Sequence, residues 1–150
     1  MINGVKITIL KRIPDDRGTI MHIMKSYESD YNTFGEVYCS TVFPEVVKGW
    51  HIHSKMTLNY VVIKGMIKFV LHDLRENSTT KGETQVVYMG EKNYARVTVP
   101  VGVWNGFKGI GTKEAFVINF TDIPHDPDEI KRMDPHNNDL IDYDWATKDR

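Results

Sequence analysis

Apolar and polar residues alternate in short runs along most of the chain, at positions 5–10, 35–43, 58–63, 67–71, 84–89, 95–99 and 114–120. These runs are rich in Val, Ile, Thr, Tyr and Phe, and a period of two marks strands with one buried face. Between them lie Asp15-Asp16-Arg17-Gly18, Lys64-Gly65, Gly90-Glu91-Lys92-Asn93 and Pro100-Val101-Gly102, stretches that turn a chain rather than extend it. The pattern predicts an all-β antiparallel sandwich or barrel of the jelly-roll kind. One short C-terminal helix is predicted at Asp126-Pro127-Asp128-Glu129-Ile130-Lys131-Arg132, where Asp can cap and Pro suits a first turn. The Asp- and Asn-rich tail after Pro135 reads as loop. Leu140, Ile141, Tyr143 and Trp145 would pin it to the body or to a second subunit.

With 150 residues, 41% of them hydrophobic and 11% aromatic, the chain can bury one sizeable core, so residues 1–150 are expected to form a single domain. A formal net charge of −1 with scattered basic residues gives no field that would draw nucleic acid or an anionic membrane. Any bound anion should therefore be small. Cys39 is alone, which excludes an internal disulfide and fits a reducing compartment; within Val-Tyr-Cys-Ser-Thr-Val it reads as a buried packing residue. The first residues lack a secretory apolar region and no stretch approaches a membrane span. A cytoplasmic location is the expectation.

The densest chemistry lies at Lys48-Gly49-Trp50-His51-Ile52-His53-Ser54-Lys55. In a strand, His51 and His53 point to the same face, where paired imidazoles can hold a metal or move protons. A metal site needs three or four His, Cys or carboxylate ligands. The segments placed to complete one read Met56-Thr57-Leu58-Asn59 and Val99-Pro100-Val101-Gly102-Val103-Trp104-Asn105, and neither Thr, Leu nor Asn is a good transition-metal ligand. The expectation is a metal-free site in which histidine does acid–base chemistry.

From Asp15 to Trp145 the chain resembles the dTDP-4-dehydrorhamnose 3,5-epimerase family. The resemblance is carried by His72-Asp73-Leu74-Arg75-Glu76-Asn77-Ser78-Thr79-Thr80-Lys81-Gly82, by Tyr88-Met89-Gly90-Glu91-Lys92-Asn93 and by Val99-Pro100-Val101-Gly102-Val103-Trp104-Asn105-Gly106-Phe107. Asp16-Arg17-Gly18, Lys48-Gly49-Trp50-His51 and Met133-Asp134-Pro135 extend it. It implies a cupin-type jelly roll, a homodimer, a nucleotide-diphosphate 4-keto-6-deoxy sugar as substrate, and no cofactor. The family's catalytic base falls on His51, and the carboxylate that orients it falls on Asp134; such a dyad fixes the tautomer and raises imidazole basicity. Arg17, Lys48 and Arg75 would meet the diphosphate. Lys55 is a candidate for enolate stabilisation, and Trp104 and Asn105 for the substrate pocket, with Trp50 a second stacking candidate.

The chain also departs from that pattern. The family's catalytic Tyr falls on Ile118, which cannot donate a proton, so water or Tyr38 is the candidate donor and epimerisation at one carbon is expected. The second pocket His falls on Asn105, the phosphate-binding Arg on Lys48, and a Glu that marks thymine on His22. The short interval from His51 to Gly65, the His-x-His pair and Tyr38 are similar to the sugar 3,4-ketoisomerases, in which a His51/His53 pair would shuttle a proton between C3 and C4. A non-catalytic nucleotide-sugar-binding cupin and a metal-dependent cupin are the other readings. His72, His125 and His136 read as surface or loop residues.

Overall fold

The computed structural model describes residues 1–148, and the alternating runs in it become strands. The twelve strands are β1 (Lys6–Ile9), β2 (Arg12–Asp15), β3 (Gly18–Met21), β4 (Glu36–Val42), β5 (Val47–His53), β6 (Leu58–Lys64), β7 (Met66–Asp73), β8 (Thr84–Gly90), β9 (Ala95–Val99), β10 (Val103–Ile110), β11 (Ala115–Thr121) and β12 (Ile130–Arg132). One five-stranded sheet runs β1-β9-β6-β11-β4, a second runs β12-β5-β10-β7-β8, and β2-β3 forms a separate hairpin. All pairings between these strands are antiparallel. The fold is an all-β sandwich of the cupin jelly-roll type.

The inner faces of the two sheets meet over Leu58, Val62, Ile67, Phe69, Leu71, Val97, Val99, Phe107 and Val117, all nearly inaccessible to water. Strand β11 shows the alternation in full: Ala115, Val117, Asn119 and Thr121 are buried, while Phe116, Ile118 and Phe120 are half-buried on the other face. By contrast, β7, β9 and β10 are buried almost throughout, because other segments cover their outer faces as well. Over the second sheet, Ile141, Tyr143 and Trp145 of the tail pack on Trp50, Val70 and Trp104. Lys68 and Lys108 reinforce this cover by donating to the Trp145 carbonyl at 3.1 and 3.2 Å. Over the first sheet, buried Arg96 gathers Glu28, Asp30 and the Ile23 carbonyl. The tail is pinned as expected by Ile141, Tyr143 and Trp145, whereas Leu140 is 61% exposed.

Two expectations are corrected. The predicted C-terminal helix is a turn followed by β12: Asp126 Oδ1 does accept from the Asp128 amide at 2.9 Å, but the next residues pair with β5. The cap signal is real. Propagation of a helix loses to a ladder with a neighbouring strand and to burial of Glu129. Cys39, expected inside, is exposed on the edge strand β4.

Glycines set the geometry beside the histidines. Gly49 on β5 and Gly106 on β10 approach so closely that a Cβ on Gly49 would lie 2.8 Å from the Gly106 Cα. Any side chain there would force the strands apart. The β5–β10 register slips between Asn105 and Phe107 at this same point.

Candidate active site

A cleft of about 630 Å³ opens between the sheets. Lys48, His51 and His53 of β5, with Ile130 and Arg132 of the adjoining β12, form one wall. Glu36, Tyr38 and Ser40 of β4 and Tyr60 of β6 form the facing wall. Met56, Phe107 and His125 also line it. Period two brings the histidines to one face as the sequence predicts, with ring centroids 5.9 Å apart and planes at 86°.

His51 Nε2 lies 3.1 Å from the Tyr60 hydroxyl, a hydrogen bond between the two sheets. Burial, then neighbouring His53 and Arg132, push the His51 imidazole down to about 3, against a smaller opposite effect of Asn105. His51 is thus neutral at ordinary pH. Burial and the nearby Tyr38 phenol raise Tyr60 well above the usual range. Tyr38 itself accepts a hydrogen bond from Asn119 Nδ2 at 2.9 Å and is 41% exposed at the cleft. Imidazoles on one sheet therefore face phenols on the other.

His53 Nδ1 makes a short hydrogen bond to Glu129 Oε1. Both side chains are buried. The other carboxylate oxygen accepts from the amides of Ser54, Lys55 and Met56 at 3.1, 3.1 and 3.3 Å. Burial alone would raise the Glu129 carboxyl, but the His53 bond and these amides hold it below its ordinary value. The β12–β5 register, Ile130 opposite His53 and Arg132 opposite His51, carries Glu129 to this place.

Other expected site residues lie elsewhere. Asp134 is exposed and caps a turn, accepting from the amides of His136 and Asn137 at 2.8 Å each; these bonds hold its carboxyl below the usual range. The structure does not bring it to His51. Trp104 belongs to the apolar cluster under the tail, with Trp50, on the sheet's outer face. Arg75 is committed to buried Asp73 through bonds of 2.8 Å from both Nε and Nη2. Arg17 sits on the β2-β3 turn, 88% exposed and paired with Asp15. Lys55 is exposed outside the cleft lining. Lys48 lines the cleft and donates to Ser40 at 3.0 Å. Asn105 is fully buried behind His51, donating to its carbonyl at 3.3 Å, with Oδ1 left unpartnered. Ile118 is on the outer face of β11 and supplies nothing to the cleft. His125, read as a loop residue, lines the cleft.

The sequence reading missed Glu129, Tyr60 and Arg132. Tyr60 was accessible in principle, since it shares its face of β6 with Leu58 and Val62 and so points inward. Glu129 is 76 residues from His53, and no local signal joins them. Among the described residues, no group of three or more His, Cys, Asp or Glu side chains is placed to hold a metal ion.

The fold is a jelly-roll sandwich whose cleft sets imidazoles opposite phenols, side chains that can each donate or accept a proton. The chain belongs to the dTDP-4-dehydrorhamnose 3,5-epimerase family, whose model matches residues 1–150. It is an isomerase of the sugar epimerase class. It is 37% identical over 152 residues to the spore coat polysaccharide biosynthesis protein SpsL of Bacillus subtilis, covering 100% of both chains. It is 34% identical over 149 residues to a probable low-salt glycan biosynthesis epimerase, Agl13, of Haloferax volcanii, covering 96% of this chain and 94% of that one. Among solved structures, it is similar to a dTDP sugar isomerase from Desulfovibrio desulfuricans at 38% identity and a TM-score of 0.94, covering 99% of this chain and 94% of that one.

Proposed function

We propose that the protein is an epimerase of a nucleotide-diphosphate 4-keto-6-deoxyhexose. A cleft imidazole removes the proton from a carbon beside the ketone, and a phenol returns one from the other side. The observation that carries this reading is the placement of His51 and His53 on β5 opposite Tyr38 and Tyr60 on the facing sheet. Inversion requires proton donors and acceptors on two faces of one carbon, and imidazoles facing phenols across the cleft support that reading. The carbonyl acidifies the flanking C–H bond, and the enolate that forms needs a cation or hydrogen-bond donor. Lys48 and Arg132 are the cations of the lining, and the same pair suits a diphosphate. Tyr38 is the acid in place of Ile118, which favours reaction at one carbon. The name of the Desulfovibrio relative, a dTDP sugar isomerase, supports a nucleotide-linked substrate.

The protein is further read as a homodimer, with Arg17 reaching the partner's cleft. Edge strand β4 and its flanks expose Phe34, Val37 and Phe43, each more than half accessible, which supports pairing there. Among the described residues no helix is long and apolar enough to cross a membrane.

The 5.9 Å separation of the imidazoles favours one further reading, 3,4-ketoisomerisation by the His51/His53 pair. Incubation with an NDP-4-keto-6-deoxyglucose in heavy water, followed by product NMR, separates the possibilities. Deuterium with inversion at C3 or C5 is the expected outcome. A carbonyl moved from C4 to C3 would replace the epimerase reading by ketoisomerase. Tight binding with no deuterium would leave a binding module.

A further inference from the structure

On the first sheet, Asn119 of β11 stands in register with Tyr38 of β4 on one side and with Tyr60 of β6 on the other. Its side chain is fully buried, and both ends of its amide are engaged. Oδ1 accepts from the Asn59 backbone amide at 3.0 Å, and Nδ2 donates to the Tyr38 hydroxyl at 2.9 Å. A backbone N–H can only donate, so the atom that meets it is the amide oxygen, and the NH₂ is what reaches Tyr38. Asn59 is itself held, accepting from Thr98 Oγ1 at 2.7 Å and donating to the Phe120 carbonyl at 3.2 Å. Strands β9, β6, β11 and β4 thus contribute to one polar chain that crosses the sheet and ends on the Tyr38 hydroxyl. A buried amide costs stability unless its polar atoms are paired, a demand that an apolar residue in the same place would not make. The Asn119 side chain is paired in a way that fixes which of its atoms faces the cleft phenol.

Resting on the epimerase reading above, we propose that Asn119 is the positioning residue of the acid, the group that fits Tyr38 to donate a proton where Ile118 cannot. By donating to the phenol oxygen, Asn119 turns the hydroxyl's own proton away from itself and toward the cleft side of the ring. It also prepares for the charge that follows. After a cleft imidazole has taken the proton beside the ketone, the C–H electron pair becomes a C=C bond and the negative charge moves to the former carbonyl oxygen. Tyr38 then gives its hydroxyl proton to the opposite face of that carbon; the C=C pair forms the new C–H bond, the carbonyl re-forms, and Tyr38 is left as a phenolate. The Asn119 N–H is already aimed at that oxygen, and its hydrogen bond strengthens as the charge arrives. The phenolate regains its proton from solvent, to which Tyr38 is 41% exposed, and the imidazolium returns one.

The first test needs no substrate. In protein labelled with ¹⁵N-asparagine, Tyr38→Phe should shift the Asn119 side-chain NH₂ resonances and speed the exchange of their protons with water, while the Asn59 backbone amide keeps its position. Unmoved Asn119 resonances would overturn the assignment, whatever the reaction proves to be. The second test follows an NDP-4-keto-6-deoxyglucose in heavy water and separates two events. A base alone can return a deuteron to the face it came from, giving labelled substrate of unchanged configuration; inverted product needs the acid. Asn119→Asp keeps an oxygen for the Asn59 amide but sets an acceptor against Tyr38 in place of the donor. It should slow inversion about 10–100-fold, the worth of one hydrogen bond to a charged group, with same-face labelling retained and KM little changed. Asn119→Ser, neutral and too short to reach Tyr38, should show the same split and guards against a fold defect from the new carboxylate. Tyr38→Phe should show it more strongly, by about 10²–10⁴-fold. Inversion and same-face labelling that fall in parallel in both folded Asn119 variants would make the residue mere scaffold and overturn the proposal. A wild type that meets the first test, binds the nucleotide sugar and still exchanges no deuterium would overturn the epimerase reading instead.

Discussion

Glu129 and Asp73 are both buried carboxylates at the ends of strands of the second sheet, and each collects several donors. Asp73 accepts from Arg75, from Ser78 at 2.5 Å and from Thr80 at 2.7 Å. Its carboxyl is held far below the usual range, chiefly by the Arg75 bond, then by Ser78 and Thr80 against the effect of burial. Glu129 accepts from three amides and from His53. The constructions are alike, and the difference is the last partner. A guanidinium never gives up its proton, so the Asp73 cluster is a staple for the 73–82 loop. An imidazole lining a cleft can exchange its proton, so the Glu129 cluster can serve chemistry.

Substitutions should separate the two carboxylates. The largest expected effect is on turnover: Glu129→Gln should lower kcat by about 10²–10⁴-fold while an NMR spectrum shows the native dispersion. Asp73→Ala should do the reverse, costing about 1–3 kcal/mol of stability by removing the buried acceptor shared by Arg75, Ser78 and Thr80, with kcat per folded molecule unchanged. Chemical denaturation and active-site titration would check this, and a kcat loss in folded Asp73→Ala would erase the distinction.

A smaller effect is expected from pH. His51 has a folded-state value of about 3, below its ordinary 6.5, so between these values the unfolded chain binds more protons. Its contribution to stability is full above about pH 6.5 and is lost progressively as the pH falls toward 3. Asp73, whose value is depressed, adds a further loss below its ordinary 3.8. Denaturation midpoints measured from pH 7 to pH 4 should therefore fall, with a shallower slope in His51→Asn; an unchanged slope would remove His51 from the account. The smallest structural effect belongs to Arg17→Ala, since Arg17 is 88% exposed. Its melting temperature should not move measurably, while kcat/KM should drop if the residue serves a partner's cleft.

The same contrast explains what could be read from the sequence. Strand β9 was found at its observed bounds and several others within a residue or two, because burial on one face writes a period of two. β10 was missed as a strand, its Asn105, Gly106 and Gly109 breaking the alternation where neighbouring backbones crowd in. The His51/His53 face was legible, being local. The Asp73-to-Thr80 segment carried the strongest family likeness, yet its residues form a loop staple away from the cleft. Asp134 matched a catalytic carboxylate by position, but in this structure the short turn after it absorbs its oxygen. Glu129 had no local mark at all: its meaning comes from a strand pairing made after the chain has returned across the molecule.

That returning strand has one more consequence. β12 occupies the outer edge of the second sheet beside β5. Without it, the strand bearing both histidines would present free N–H and C=O groups to any passing extended chain. The strand that brings Ile130 and Arg132 to the cleft also shields β5 from aggregation, so damage at Ile130–Arg132 should be felt as insolubility as well as lost turnover.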